Sequence, residues 1–249
     1  MASIASQVVF HPVVSQSLRV GNTTLGRDKT YRAVQYFARF VAWYLLSKGK
    51  TVDAARWNAL KSHLALARKL LRLGKPVEHL QLALKAAMAA APPAEQMSTI
   101  ARQLAYFGYL SFDALVWASN IKFLTLTPET AQKIARISNR FWLAGIIVSL
   151  THGAIKTARL TKEAKSLKAQ HMSEKDFGEA QALAQQVVAI EAARVAAREQ
   201  IYIDALDVWL PASALGLANM SEGFLGIAGF LTSIMALRKS WATAGASSK

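Results

Sequence analysis

Apolar positions recur at helical spacing along most of the chain, and no run alternates with the period of two that a half-buried strand requires. A short apolar opening from Val8 to Val14 is broken by Gly21, Asn22 and Gly26. A helix is then predicted over 28–46, with Tyr31, Tyr36, Phe37, Phe40, Trp43 and Tyr44 at helical intervals, Asp28 as N-cap or first-turn acid and Gly49 as its stop. Aromatic residues so spaced usually form core, which would leave Arg32 and Arg39 on an exposed face. The next helix is predicted over 53–73 and ends at Gly74 and Pro76. Further helices are expected over 77–91, closed by Pro92 and Pro93, over 97–126, and onward from Thr127 and Pro128. Residues 160–178 are polar and charged and read as an exposed connector. A long Ala- and Gln-rich helix over 179–209 follows, with Pro211 at its end or at a kink. No repeat of 20–50 residues is visible.

Two stretches are apolar enough to enter a bilayer. Residues 141–155 are fifteen uncharged positions between Arg140 and Lys156. They span roughly 22 Å as a helix, short of a hydrocarbon core of about 30 Å, although the flanking cations extend the reach by snorkelling. In residues 208–237 the sole charge is Glu222, and Gly216, Gly223, Gly226 and Gly229 punctuate the run as small residues do where helices pack closely in lipid. Buried core helices of a soluble bundle would have the same composition.

Composition sharpens this picture. The 249 residues are 53% hydrophobic and 18% charged, too apolar for disorder, and the net charge of +15 calls for an anionic partner. Cysteine is absent, which excludes disulfide scaffolds, Cys-based zinc sites, thiol catalysis and palmitoylation. The charge is uneven. Residues 1–75 hold thirteen Lys/Arg against Asp28 and Asp53, whereas residues 156–207 hold eight basic and eight acidic residues. After Leu237 come Arg238, Lys239 and Lys249 with no acid. Basic ends around a neutral, apolar middle are the pattern of a membrane protein with both termini in the cytosol. The cations of the connector, from Lys156 to Lys168, oppose that orientation. The N-terminus lacks the basic and apolar regions of a secretory signal, and the closing Ser247-Ser248-Lys249 is not a peroxisomal matrix address.

Motifs for chemistry fail one by one. Gly21 to Gly26 has phosphate-loop spacing but lacks the Lys and Ser/Thr that reach phosphate and Mg²⁺. The five histidines have no ligand spacing, and no nucleophile elbow is present. No catalytic residue, metal site or cofactor is expected, so the chain reads as a non-enzyme without a nucleic-acid role.

The segment 53–75 is the most informative. Trp57, Leu60, Leu64, Ala67, Leu70 and Leu71 fall within an arc of roughly 140°, while Lys61, Arg68, Lys69 and Arg72 line the adjoining arc. Leu66 and Leu73 intrude on the polar side. One reading is an interfacial helix, with Trp57, Leu60, Leu64, Leu70 and Leu71 below the headgroups and Lys61, Arg68, Lys69 and Arg72 on anionic lipid. A helix packed on a soluble core with a solvated basic face has the same pattern, and a calmodulin-target helix is a third reading.

The run from Gly26-Arg27-Asp28-Lys29 through Arg32, Gln35, Tyr36 and Arg39, preceded by His11-Pro12, resembles the N-terminal signature of the peroxisomal biogenesis factor 11 (peroxin-11) family. The Arg68–Arg72 cluster is similar to that family's membrane-inserting helix. Asp113 to Trp117, with Ala114 where many relatives would have Asn, and Arg140-Phe-Trp142 add further matches. Gly223, Gly226 and Gly229 with Ser233, Leu237 and Trp241 fit its closing signature. The resemblance implies a peroxisomal membrane protein that elongates the organelle and promotes its proliferation and fission. It also implies self-association and recruitment of a dynamin-related GTPase and a fission adaptor. A metabolite channel is the alternative, for which Glu222 and the glycines are the hint. The expected architecture is an all-α, membrane-associated bundle. It has a basic region over 1–139 with the interfacial helix, and a region over 140–249 carrying one or two hydrophobic membrane segments.

Overall fold

The computed structural model describes residues 4–173 and 177–246. Among them there are helices and no strand. In chain order these are α1 (Ile4–Val9), α2 (Pro12–Asn22), α3 (Thr24–Ser47), α4 (Thr51–Leu70), α5 (Lys75–Met88), α6 (Pro93–Asn120), α7 (Pro128–Ser173), α8 (Phe177–Asp207), α9 (Trp209–Ala214) and α10 (Glu222–Ala246).

Several boundaries follow from local chemistry. The α3 N-cap is Thr23, whose hydroxyl accepts from the Gly26 amide at 2.9 Å. Asp28, expected at that boundary, instead lies buried one turn inside the helix. Gly49, at φ 71°, supplies the left-handed turn between α3 and α4. Pro76 and Pro93 stand in the first turns of α5 and α6, where a missing N–H costs nothing.

Two expectations change. Residues 160–173 are not a connector but the continuation of α7, because Leu160 and Ala164 keep its helical register and are buried. Residues 208–237 are not one helix. The chain breaks after Ala214, where Gly216 takes φ 76°, and resumes at Glu222. Residues 141–155 lie within α7. Among the described residues, Pro128–Met172 is the one helix long and apolar enough to cross a membrane.

The chain forms two compact units that interleave in sequence. Unit 1 comprises Met1–Gly74, Ser111–Arg136 and Ala212–Lys249; unit 2 comprises Lys75–Leu110 and Ile137–Pro211. Unit 1 is built on α3, with α4 and α10 each packed antiparallel against it. Trp57 meets Phe37 edge-on at 5.9 Å while Arg68 reaches back to Asp28. On the other side Gly223, Gly226 and Gly229 oppose Trp43, Phe40 and Tyr36 in turn. A methyl group at Gly226 would stand 2.7 Å from the Phe40 backbone nitrogen, so the two helices approach nearly backbone to backbone. From α2, Gln16 and Arg19 donate to the carbonyls of Trp241 and Ala244, the latter an acceptor that the last turn of α10 leaves open.

Unit 2 packs α5, the first part of α6, most of α7, and α8. Ile146 is fully buried, and Trp142 stacks on Tyr109 at 5.3 Å. Its interior is also polar. The Ser149 hydroxyl and the Gln200 amide donate to Asp204, and Arg159 pairs with Glu95.

Candidate membrane-binding site

Apart from Arg27, the family-signature residues of α3 line its inner side. Asp28, Arg32, Gln35 and Arg39 follow one another at helical spacing and bind both neighbours of α3. The Asp28 carboxylate accepts from Arg68 Nε at 2.9 Å, and Gln35 Oε1 accepts from the same guanidinium at 2.8 Å. Arg32 donates to Thr232 Oγ1 at 2.9 Å and lies over the Tyr36 ring. Arg39 holds both carboxylate oxygens of Glu222, at 2.8 and 2.6 Å. Gly26 is closed in, since a methyl group there would meet the Val20 carbonyl at 2.0 Å. Arg27 faces solvent.

Arg32 therefore lies inside the unit rather than on an exposed face. Glu222 stands in a bidentate ion pair, and the three glycines form a helix–helix contact.

Along α4 and the turn after it, the cations divide. Arg68 is buried on Asp28, whereas Lys69 and Arg72 both bind Asp113 on the unit 1 part of α6. Lys61 is half-buried. Of the apolar positions, Leu60 and Leu70 are exposed, while Trp57, Leu64 and Leu71 are half-buried. Leu60 and Leu70 thus face outward to a greater degree than Arg68, Lys69 and Arg72 do.

Electrostatics explain that cluster. Burial works against the charge of Asp28, but Arg68, Lys29 and Arg72 together hold its carboxyl below its ordinary value. Burial, and then the Arg32 charge, push the Lys29 ammonium down to about 8. Burial likewise lowers Arg68 and Lys69, with the Asp28 and Asp113 carboxylates opposing the shift.

The role of Asp113 escapes local sequence rules. Its signal is an isolated acid in the long, mostly apolar α6, whose other charges are Glu95 and Arg102. Such a carboxylate needs a partner when buried.

At the level of the units, charge separates sharply. By sequence, unit 1 carries eighteen Lys/Arg against five Asp/Glu, and unit 2 carries twelve against ten. Almost all of the +15 therefore resides in unit 1.

Residues 14–241 match the family model of peroxisomal biogenesis factor 11. The chain belongs to the peroxisomal biogenesis factor 11 family. It is 25% identical to peroxisomal biogenesis factor 11 of Schizosaccharomyces pombe, over 94% of this chain and 98% of that one. It is 27% identical to the peroxisomal membrane protein PMP27 of Saccharomyces cerevisiae, over 96% and 98%. Human peroxisomal membrane protein 11B is 24% identical over 88% and 94%. No solved structure matches. Membership makes this chain a peroxisomal membrane protein of organelle biogenesis, and the family match covers both units.

Proposed function

We propose that the protein elongates the peroxisomal membrane, and thereby promotes proliferation and fission, by inserting α4 into the cytosolic leaflet. The observation that carries this reading is the coincidence in unit 1 of nearly all the net charge with outward leucines on α4. The cations draw the unit to anionic phospholipid, each worth about 1 kcal/mol near the surface. Leu60 and Leu70 then enter below the headgroups beside Lys61 and expand one leaflet. Trp57, Leu64 and Leu71 follow when α4 tilts away from α3. That tilt brings Arg68, Lys69 and Arg72 within reach of lipid phosphates, which compete with Asp28 and Asp113 for them.

In this reading α7 anchors the chain and both termini face the cytosol. Self-association concentrates the wedge, and a dynamin-related GTPase with its fission adaptor severs the elongated membrane.

Imaging a tagged full-length chain against a peroxisomal marker at raised expression tests the reading. The wild type is expected to sit on elongated or more numerous peroxisomes. The variant Leu60→Glu with Leu70→Glu is expected to reach the same organelles and leave them round. Wild-type protein on peroxisomes of unchanged shape and number would overturn remodelling.

A further inference from the structure

Within unit 2, contacts fix how the helices align with the uncharged residues 141–155 of α7. Gly108 of α6 meets Phe141, Gly145 meets Ala105 and Tyr106, and Ser98 shares a hydrogen bond with His152 at 2.9 Å. On α8, Ile201 closes on Gly153 and Asp204 accepts from Ser149. Residues 98–108 and 201–204 therefore flank the apolar band of α7 at its own level. Inside that band the inward side chains are polar. Asp204 is buried and accepts from the Gln200 amide as well, and the Arg102 guanidinium lies over the Tyr106 ring, where its charge acts on Asp204. The outward ones are apolar: Met97 and Leu104 on α6, Ile147 on α7 and Tyr202 on α8 are 66%, 47%, 50% and 61% exposed. Ala101 and Ala205 are exposed on the same stretches of α6 and α8.

In water this arrangement is inverted, because apolar groups gain by burial and charged ones by hydration. In hydrocarbon it is the favourable one, since polar groups there must find partners inside a bundle. We infer that unit 2 is embedded in the bilayer as a bundle, with acyl chains against the outer faces of α6 and α8 as well as α7. The inference rests on the reading of α7 as an anchor and extends it to the helices packed on α7. The inward polar residues lower the hydropathy of α6 and α8, so neither reads as a membrane segment by composition. Among the described residues, the exposed charges at this level lie on α5. Glu78 is paired with Lys75 at 2.6 Å. Lys85 lies beside the Ala86 and Ala87 carbonyls that bind Gln96, near the far end of the band, where a long side chain reaches the headgroups. The same reading accounts for the interleaving of the units. The chain leaves unit 1 at Gly74 and returns at Ser111, then leaves at Arg136 and returns at Ala212. Each excursion is a helix pair that enters and leaves the bilayer, so the three stretches of unit 1 emerge on one membrane face.

Because the chain has no cysteine, one introduced cysteine carries a bimane fluorophore at a known place. The test uses full-length Ala101→Cys, Ala205→Cys, Ile147→Cys and Arg27→Cys, each labelled and reconstituted in vesicles of phosphatidylcholine and phosphatidylserine. Phospholipid with brominated acyl chains quenches fluorophores in hydrocarbon, and iodide on both sides of the membrane quenches those in water. The labels at 101 and 205 are expected to lose most of their emission to the brominated lipid and little to iodide, as the label at 147 does. The label at 27, on a residue that faces solvent, is expected to show the reverse.

Iodide quenching at 101 or 205 with lipid quenching at 147 overturns the bundle and leaves α7 as a single anchor. Iodide quenching at 147 as well removes the anchor itself, so the two failures are distinguishable. Helicity equal to that of the unlabelled protein, read by circular dichroism, admits each variant to the comparison. Should Ala101→Cys or Ala205→Cys fail that criterion, Leu104→Cys or Tyr202→Cys, outward on the same helix, takes its place with the same expected result.

Discussion

Asp28 shows how far a single residue can depart from what its neighbours suggest. An acid shortly after Gly26 satisfies every local rule for a helix start, yet Thr23 caps α3 and Asp28 is buried against Arg68, forty positions away in sequence. Capping is a local property and is legible; a tertiary ion pair is not. Removing one member of a buried pair leaves the other charged and unpaired, so Asp28→Ala should destabilise the protein by about 3 kcal/mol. Thermal or denaturant unfolding in micelles reads this, and Asp28→Ala with Arg68→Leu should recover much of the loss. The Asp28 carboxyl is depressed in the folded state, so its contribution is complete above its ordinary value of 3.8 and is lost as pH falls through the lower folded value.

Lys29 has the opposite sign. Between about 8 and 10.5 the unfolded chain holds this proton and the folded one does not, so stability rises with pH across that window. The groups responsible are burial, Arg32, Arg68 and Arg72, with Asp28 opposing them. Lys29→Met should therefore raise the unfolding temperature at pH 7 and flatten part of the alkaline rise. Lys69, shifted in the same direction, supplies a rise of its own. An unchanged pH profile in Lys29→Met would contradict this assignment.

At the scale of elements, helical content was readable because apolar spacing, Pro and Gly mark most segments. The errors arose where composition and register disagree. Lys162, Glu163, Lys165 and Lys168 make 160–173 look like a connector, but Leu160 and Ala164 are buried in register and Arg159 pairs with Glu163 one turn on. In 208–237 the low charge hid a break, since Gly216 turns the chain before α10 begins. The spacing of Gly223, Gly226 and Gly229 was visible, but their partners Trp43, Phe40 and Tyr36 lie on a helix far away in sequence. Gly226→Val should cost at least about 2 kcal/mol, because the added atoms meet the backbone of Phe40 rather than a side chain that can move. Limited proteolysis should then cut α10 earlier than in the wild type. Ile227, exposed on the same helix, should tolerate Ile227→Val with little change.

For the whole molecule, the charge asymmetry seen along the sequence becomes a division between two units, one strongly basic and one close to neutral. The basic stretch was legible as a partner-seeking surface, and so was the apolar run inside α7. Which cations remain available outside was not, because Arg68, Lys69 and Arg72 find Asp28 and Asp113 only once the chain is folded. That selection shifts the proposed contact toward Leu60, Lys61 and Leu70, with the inner cations following as α4 lifts. The most direct test is electron microscopy of anionic phosphatidylserine vesicles carrying the full-length protein. The wild type is expected to draw them into tubules, and Leu60→Glu with Leu70→Glu, bound at the same density and with unchanged helicity, is expected to leave them spherical. Tubules of equal length and number with that variant would contradict the account.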